Sequence, residues 1–306
     1  MRMIIDLDKI ATEGRSEASR RIDTVTTEDL VRIINDADKA VAAAVEKILP
    51  AVAAVIDKTA ARIRAGGRLI YVGAGTSGRL GVLDAAECPP TYNTPPELVQ
   101  ALLAGGKEAM FRAVEGEEDK PQQGAADIRT LSLTATDTVI GLSASGRTPY
   151  VIGALACAKE LGAYTISVTS SPGSKLAAVA DRDLCALTGP EVVTGSTRMK
   201  AGTAEKMILN MISTGVMIRL GKVYGNLMVD VKATNEKLAE RAVRIVISAT
   251  ARDRAEAEAA LTACGGKAKT AIVMLLRHLS ADAAEEALLK NKGHIRPTIE
   301  DTRHEL

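Results

Sequence analysis

Two glycine-bearing loops and a small set of carboxylates hold the groups in this sequence that could do chemistry. GAGTSG, Gly73–Gly78, has the G-x-G-x-x-G spacing. In a strand-to-helix turn that spacing lets backbone amides approach a phosphate at the helix N-terminus. SASGRT, Ser143–Thr148, has the same setting after a later apolar run. Around Gly75 the two loops collect the hydroxyls of Thr76, Ser77, Ser143, Ser145 and Thr148. A terminal phosphate has three oxygens that accept such donors, whereas a dinucleotide pyrophosphate is approached by bare glycine backbone. A dinucleotide site also needs an acid at the end of the second strand. Here that strand ends Leu103-Ala104-Gly105-Gly106, and Glu97 precedes it. One such loop is equally well a tight turn with capping Ser and Thr; two in one chain favour a phosphate site.

Glu87 stands in DAAECPPT at a predicted helix end, before Pro89-Pro90 and Pro95-Pro96, which stiffen the chain. VEGEED clusters Glu115, Glu117, Glu118 and Asp119. Either group could transfer protons, although spacing alone favours plainer readings, an exposed helix-end Glu and a solvated loop. TGSTRMKAGTAEK sets Ser196, Thr197, Arg198 and Lys200 at the start of a long predicted helix, as an anion site or as ordinary capping. Cys88 adjoins Glu87, but no His is near it in sequence to make a thiolate, and it reads as packing.

The elements that must position these groups follow from periodicity. Residues 27–64 read as helix, with Thr27 as cap and a break at Pro50. Short apolar runs at 68–73, 98–103, 138–142, 163–168 and 184–187 read as strands. Helices are predicted over 79–86, 148–161 and 197–220, the last with Ala204, Met207, Ile208, Met211 and Ile212 on one face. Strands alternating with helices indicate an α/β fold, a parallel sheet covered on both faces. From Asn226 onward the pattern is helical, broken at Gly265-Gly266, Ser280 and Gly293, as in a small bundle.

Composition removes several classes of function. The net charge is +1, with 39 basic and 38 acidic residues, which argues against a nucleic-acid binder working by basic charge. One Phe, five Tyr and no Trp leave few rings for base stacking. They also predict a ligand site built without a stacked ring. The three His, His278, His294 and His304, all lie late in the chain, which excludes a multi-histidine metal site or His-based triad in its body. Four Cys without C-x-x-C spacing read as reduced thiols of a cytoplasmic protein. Asp6 and Asp8 interrupt any signal-type core, and no run approaches the ~20 apolar residues of a membrane span.

GAGTSGRLGVLDAAECPPTY, VEGEED, SASGRTPYV, GPEVVTGSTRMKAGTAEKMILNMISTG and GKVYGNLMVDVKATNEKL, with TEGRSEAS and IDTVTTEDLVRIINDADK before them, resemble the N-acetylmuramic acid 6-phosphate etherase family. The resemblance runs over nearly the whole chain in unbroken order. Departures are small: the family often has Ser before the Glu of DAAECPP, and Ala where Glu117 stands.

The resemblance implies a sugar isomerase (SIS) domain, a doubly wound five-stranded parallel sheet, over residues 57–222. A helical segment, 1–56, would precede it and a helical region, 223–306, would follow. It also implies a homodimer with active sites at the subunit interface, and no metal or redox cofactor. The implied substrate is a phosphosugar, whose D-lactyl ether is cleaved to N-acetylglucosamine 6-phosphate and D-lactate in peptidoglycan recycling. By motif position the family's proton donor corresponds to Glu87 and its second active-site Glu to Glu118. Its phosphate loops correspond to Ser77, Ser143, Ser145 and Thr148, beside Gly75, Thr76, Ser196 and Lys200. Arg79, Arg147, Arg198 and Lys200 are the cations available to the lactyl carboxylate. The alternatives are a non-catalytic sugar-phosphate regulator, an aldose–ketose isomerase on the same fold, and a nicotinamide dehydrogenase resting on the first loop alone. The known glucokinase regulators use two such domains, and this chain has room for one.

Overall fold

The computed structural model describes residues 11–231 and 236–300. They form two compact units, one running through Ala86 and then Glu97–Ser213, the other Glu87–Pro96 and the chain from Thr214 onward.

The first unit opens with helices α1 (Thr27–Glu46) and α2 (Leu49–Arg64). The N-cap of α1 is Thr26, one residue before the expected Thr27; its hydroxyl accepts from Asp29 N at 3.2 Å. Pro50 sits in the first turn of α2, where a missing N–H costs nothing, so it begins a helix at the predicted break. Then follow β1 (Leu69–Gly73), α3 (Gly75–Tyr92), β2 (Val99–Leu103), α4 (Pro121–Thr130), β3 (Thr138–Leu142), α5 (Pro149–Glu160), β4 (Tyr164–Thr169), α6 (Lys175–Val179), β5 (Arg182–Cys185) and α7 (Lys200–Arg219).

The strands make one parallel sheet in the order β2-β1-β3-β4-β5. β1, β3 and β4 are buried along their whole length, as strands covered on both faces must be. This is the expected doubly wound α/β sheet. β5 is displaced from the predicted 184–187, because an edge strand tolerates polar residues: exposed Arg182 pairs with Ile166 and Asp183 with Ser167. At the opposite end of the central strands, buried Asp137 accepts from Arg68 N at 2.7 Å, Arg68 Nη2 at 2.8 Å and Thr134 N at 2.8 Å. Burial alone would push the Asp137 carboxyl up, but the Arg68 guanidinium and these amides hold it below its ordinary range.

Two helices, α4 and α6, were not in the predicted set. α4 buries only Gly124 and Ile128, and α6 is five residues long, so neither leaves a long apolar stripe. α3 runs well beyond the predicted Ala86. Its two internal prolines leave the carbonyls of Ala85 and Ala86 without their helical donors. Asn93, in the left-handed region at φ 50°, then closes the helix by donating from its N–H to Pro89 O at 2.9 Å.

In the second unit, β6 (Val223–Tyr224) and β7 (Leu227–Met228) form a short antiparallel hairpin around Gly225-Asn226, where helix was expected from Asn226. Among the described residues five helices follow, α8 (Glu236–Thr250), α9 (Arg254–Ala263), α10 (Ala268–Arg277), α11 (Ala281–Lys290) and α12 (Ile295–Glu300). The breaks at Gly265-Gly266, Ser280 and Gly293 fall as predicted. A further break separates α8 from α9: Ala251 turns left-handed at φ 55°, and Asp253 and Glu256 restart the helix as a capping box. Val246, Ala257, Ala271, Ile272 and Ala284 lie at the centre of this bundle's core. Among the described residues no single helix is long and apolar enough to cross a membrane.

Candidate active site

The glycine loops leave the C-terminal ends of adjacent strands, with Gly73 of β1 in register with Leu142 of β3. From β1 the chain returns to β2 on one side, and from β3 to β4 on the other. Such a point of reversal is where ligands enter open parallel sheets. The glycines of the first loop are required by close approach. A Cβ on Gly78 would lie 2.6 Å from Gly73 O, and one on Gly73 would lie 2.6 Å from Gly78 Cα. Gly75, at φ 52°, turns the chain from strand into helix.

In the second loop, Ser143 is buried and its Oγ lies 2.8 Å from Thr148 Oγ1. Ser145 Oγ accepts from Arg147 N at 3.3 Å. Thr148 occupies the N-cap position of α5, yet its side chain makes no cap hydrogen bond. The capping explanation for this loop therefore fails at Thr148, whose side chain leaves the first amides of α5 uncapped.

The structure carries the acidic segment to the first loop. A cleft of about 140 Å³ has Gly75 and Arg79 on one side and Glu115–Glu118 on the other. Gly116, at φ 78°, turns the chain into the single turn Glu117–Asp119. Glu117 is engaged by Lys120 at 2.6 Å, while Glu118 is exposed at the cleft wall. Among the described residues no aromatic ring lines this cleft. Arg79 donates from Nε to the carbonyls of Ala109 at 2.9 Å and Met110 at 3.2 Å, so it braces the cleft. Glu87 lies on α3 and is exposed. It is held by a helix, not by the loop expected from the prolines after it.

The start of α7 is already occupied by the chain's own anion. Fully buried Glu191 accepts from Lys200 N at 3.0 Å and from Ala201 N at 2.9 Å. The Lys200 ammonium is buried and donates to Thr188 O at 2.7 Å, turned into the fold. Ser196 is half-buried in the preceding turn, and Arg198 is exposed.

Three carboxylates that matter here escaped sequence reasoning: Asp84, Glu191 and Glu205. Asp84 is buried and accepts from Tyr71 Oη at 2.8 Å, Asn210 Nδ2 at 2.6 Å and Ser213 Oγ at 3.1 Å, joining β1, α3 and α7. Glu205 is 1% exposed, and its Oε1 accepts from Ser77 Oγ at 2.9 Å. The available signal was position: Glu205 follows Ala204 on the apolar side of α7, among Ala201, Ala204, Ile208 and Leu209, all buried.

Residues 122–214 match the SIS domain family, and residues 51–159 match the family described as the glucokinase regulatory protein N-terminal SIS domain. The parallel sheet with its two loops is thus a SIS domain. The chain is 56% identical to the N-acetylmuramic acid 6-phosphate etherase of Klebsiella aerogenes, over 98% of this chain and 100% of that one. It is 56% identical to the protein of that name from Clostridium beijerinckii, over 97% of this chain and 98% of that one. The protein of that name from Photorhabdus laumondii is 54% identical, over 98% and 100%. Among solved structures, a phosphoheptose isomerase from Neisseria gonorrhoeae is 19% identical, covering 62% of this chain and 98% of that chain at a TM-score of 0.47. The chain belongs to the N-acetylmuramic acid 6-phosphate etherase family.

Proposed function

We propose that the chain cleaves the D-lactyl ether of N-acetylmuramic acid 6-phosphate, giving N-acetylglucosamine 6-phosphate and D-lactate, in the recycling of peptidoglycan amino sugars. The observation carrying this reading is the full-length identity of 56% to an etherase of that specificity. A cleft joining the Gly75 loop to Glu118 supports it, because phosphate binding and proton transfer then share one edge of the sheet. The regulator reading draws on the match of residues 51–159 to a regulator's first domain. It accounts for only that part of the chain.

An alkyl ether is a poor leaving group, and direct attack does not break it. In the open-chain aldehyde, the proton on C2 is acidified by the carbonyl, and the ether oxygen on C3 is β to that carbonyl. Glu118 as carboxylate takes the C2 proton, the electron pair forms the C2–C3 double bond, and the C3–O bond breaks. Glu87 as acid protonates the departing lactyl oxygen. Water then adds at C3, giving its proton to Glu87, while Glu118 returns a proton to C2. The balance consumes one water. Gly75, Thr76, Ser77, Ser143, Ser145 and Thr148 hold the phosphate, and that remote binding energy holds the reacting carbons in place. Lys200, whose ammonium is spent on Thr188 O, is withdrawn from this set, and Ser196, half-buried in the turn before α7, remains a candidate. Arg147 and Arg198 are the cations left for the lactyl carboxylate. The enzyme is then a cytoplasmic homodimer with its active sites at the subunit interface, where a partner chain would complete a cleft of about 140 Å³.

The test is turnover of the muramic substrate in deuterated, ¹⁸O-labelled water. Expected are lactate, deuterium at C2 and ¹⁸O at C3 of the amino sugar. ¹⁸O in the lactate hydroxyl would refute elimination, and tight binding without lactate release would establish the regulator. Light scattering should give twice the 32.1 kDa chain mass; a single-chain mass removes the dimer.

A further inference from the structure

Glu205 is a carboxylate placed where a phosphate-binding protein can least tolerate negative charge. Its Oε1 is 2.9 Å from Ser77 Oγ, and its buried Oε2 has no hydrogen-bond partner. A buried carboxylate oxygen without a donor is costly when charged and far less so when neutral. Burial pushes the Glu205 carboxyl up to about 8, with the Ser77 hydrogen bond opposing it. Charged groups on the two helices that carry Ser77 and Glu205 are turned elsewhere. On α3, Arg79 is spent on the carbonyls of Ala109 and Met110, and Asp84 is held by Tyr71, Asn210 and Ser213. On α7, Lys200 donates to Thr188 O, and Lys206 is exposed. None of them contributes to the Glu205 shift.

A serine hydroxyl has one proton to donate. An ionised Glu205 accepts the hydrogen bond of that one proton from Ser77 and sets a negative charge beside the oxygen that meets the phosphate. The neutral acid reverses the bond, donating from Oε1 to Ser77 Oγ and leaving the serine proton free. We propose that Glu205 is a positioning residue held as the neutral acid, which turns the Ser77 hydroxyl proton toward the phosphate of the bound sugar. The proposal rests on the phosphosugar reading of the Gly73–Gly78 loop. No covalent bond changes: the acid proton stays with Glu205 and the hydroxyl proton with Ser77.

The test is calorimetric titration of the full chain with N-acetylglucosamine 6-phosphate across pH ~7 to ~9.5, where the phosphate, with its second pKa at ~6, remains a dianion. For the unmodified protein the Kd should rise about tenfold between pH ~7 and ~9, following the neutral fraction of Glu205. Glu205→Gln, which donates to Ser77 at every pH, should bind with a flat profile. Ser77→Ala should bind more weakly and show a shallower slope, since only the charge of ionised Glu205 then acts on the phosphate. A flat profile for the unmodified protein, or the same slope in Ser77→Ala, overturns the proposal even if Glu205→Gln does not fold. Failure of the unmodified protein to bind the sugar phosphate at any pH removes the phosphosugar reading and this proposal with it.

Discussion

Gly78→Ala tests whether the close contact between strand and helix sets the position of the first loop. The added Cβ would lie 2.6 Å from Gly73 O and 2.7 Å from Gly73 C, where ordinary contact begins at 3.4 Å. Both atoms are backbone of a fully buried strand paired on each side, so they cannot give way. The first turn of α3 must therefore retreat by about 0.8 Å, carrying Gly75, Thr76 and Ser77 with it. Overpacking of this kind costs about 1–3 kcal/mol in stability, and displacing a positioning group by about 1 Å costs on the order of 10²-fold in rate. The assay is lactate release from the muramic substrate, with urea denaturation alongside. Gly173→Ala separates the two effects. Its Cβ meets nothing within 4 Å, but φ 62° strains it, so it should lose about 1–2 kcal/mol and keep its kcat/KM. Unchanged kcat/KM in Gly78→Ala, or an equal loss in Gly173→Ala, would refute the reasoning.

Glu87→Ala should abolish lactate release while C2 exchange with deuterated water continues, read by NMR of the substrate; Glu118→Ala should abolish both. Asp137→Ala should cost about 1–3 kcal/mol in urea denaturation, because it leaves the amides of Arg68 and Thr134 without their acceptor, while the half-buried Arg68 guanidinium keeps Leu131 O. The Asp137 carboxyl is held below its ordinary range in the folded state. Its contribution is therefore fully present above the unfolded carboxylate value near ~4 and lost as pH falls below that. The stability gap between Asp137→Ala and the unmodified protein should narrow as the pH is taken down through that window. Glu191→Ala should lose about 1–3 kcal/mol by leaving the amides of Lys200 and Ala201 without an acceptor; Glu191→Gln, which keeps one oxygen, should lose less.

The central strands and both glycine loops were legible because their signals are local. A strand buried on both faces is a continuous apolar run, and a tight strand-to-helix turn needs glycine at set positions. The etherase motifs were legible for the same reason, being contiguous strings. Elements with weak local patterns were misplaced: β5 because an edge strand tolerates Arg182 and Asp183, the hairpin at Gly225-Asn226 because its strands are two residues each, and α4 because it buries so little. By itself the sequence determined the α/β class, the two glycine loops and the carboxylates worth testing. Only the tertiary structure decided which side chains meet. It seated Glu118 across a cleft from Gly75, turned Lys200 inward while Glu191 capped its helix, and set Glu205 against Ser77 from 128 residues away. The physical reason is that a hydrogen bond depends on where two elements pack, and a position along the chain does not record which element will come to lie beside it.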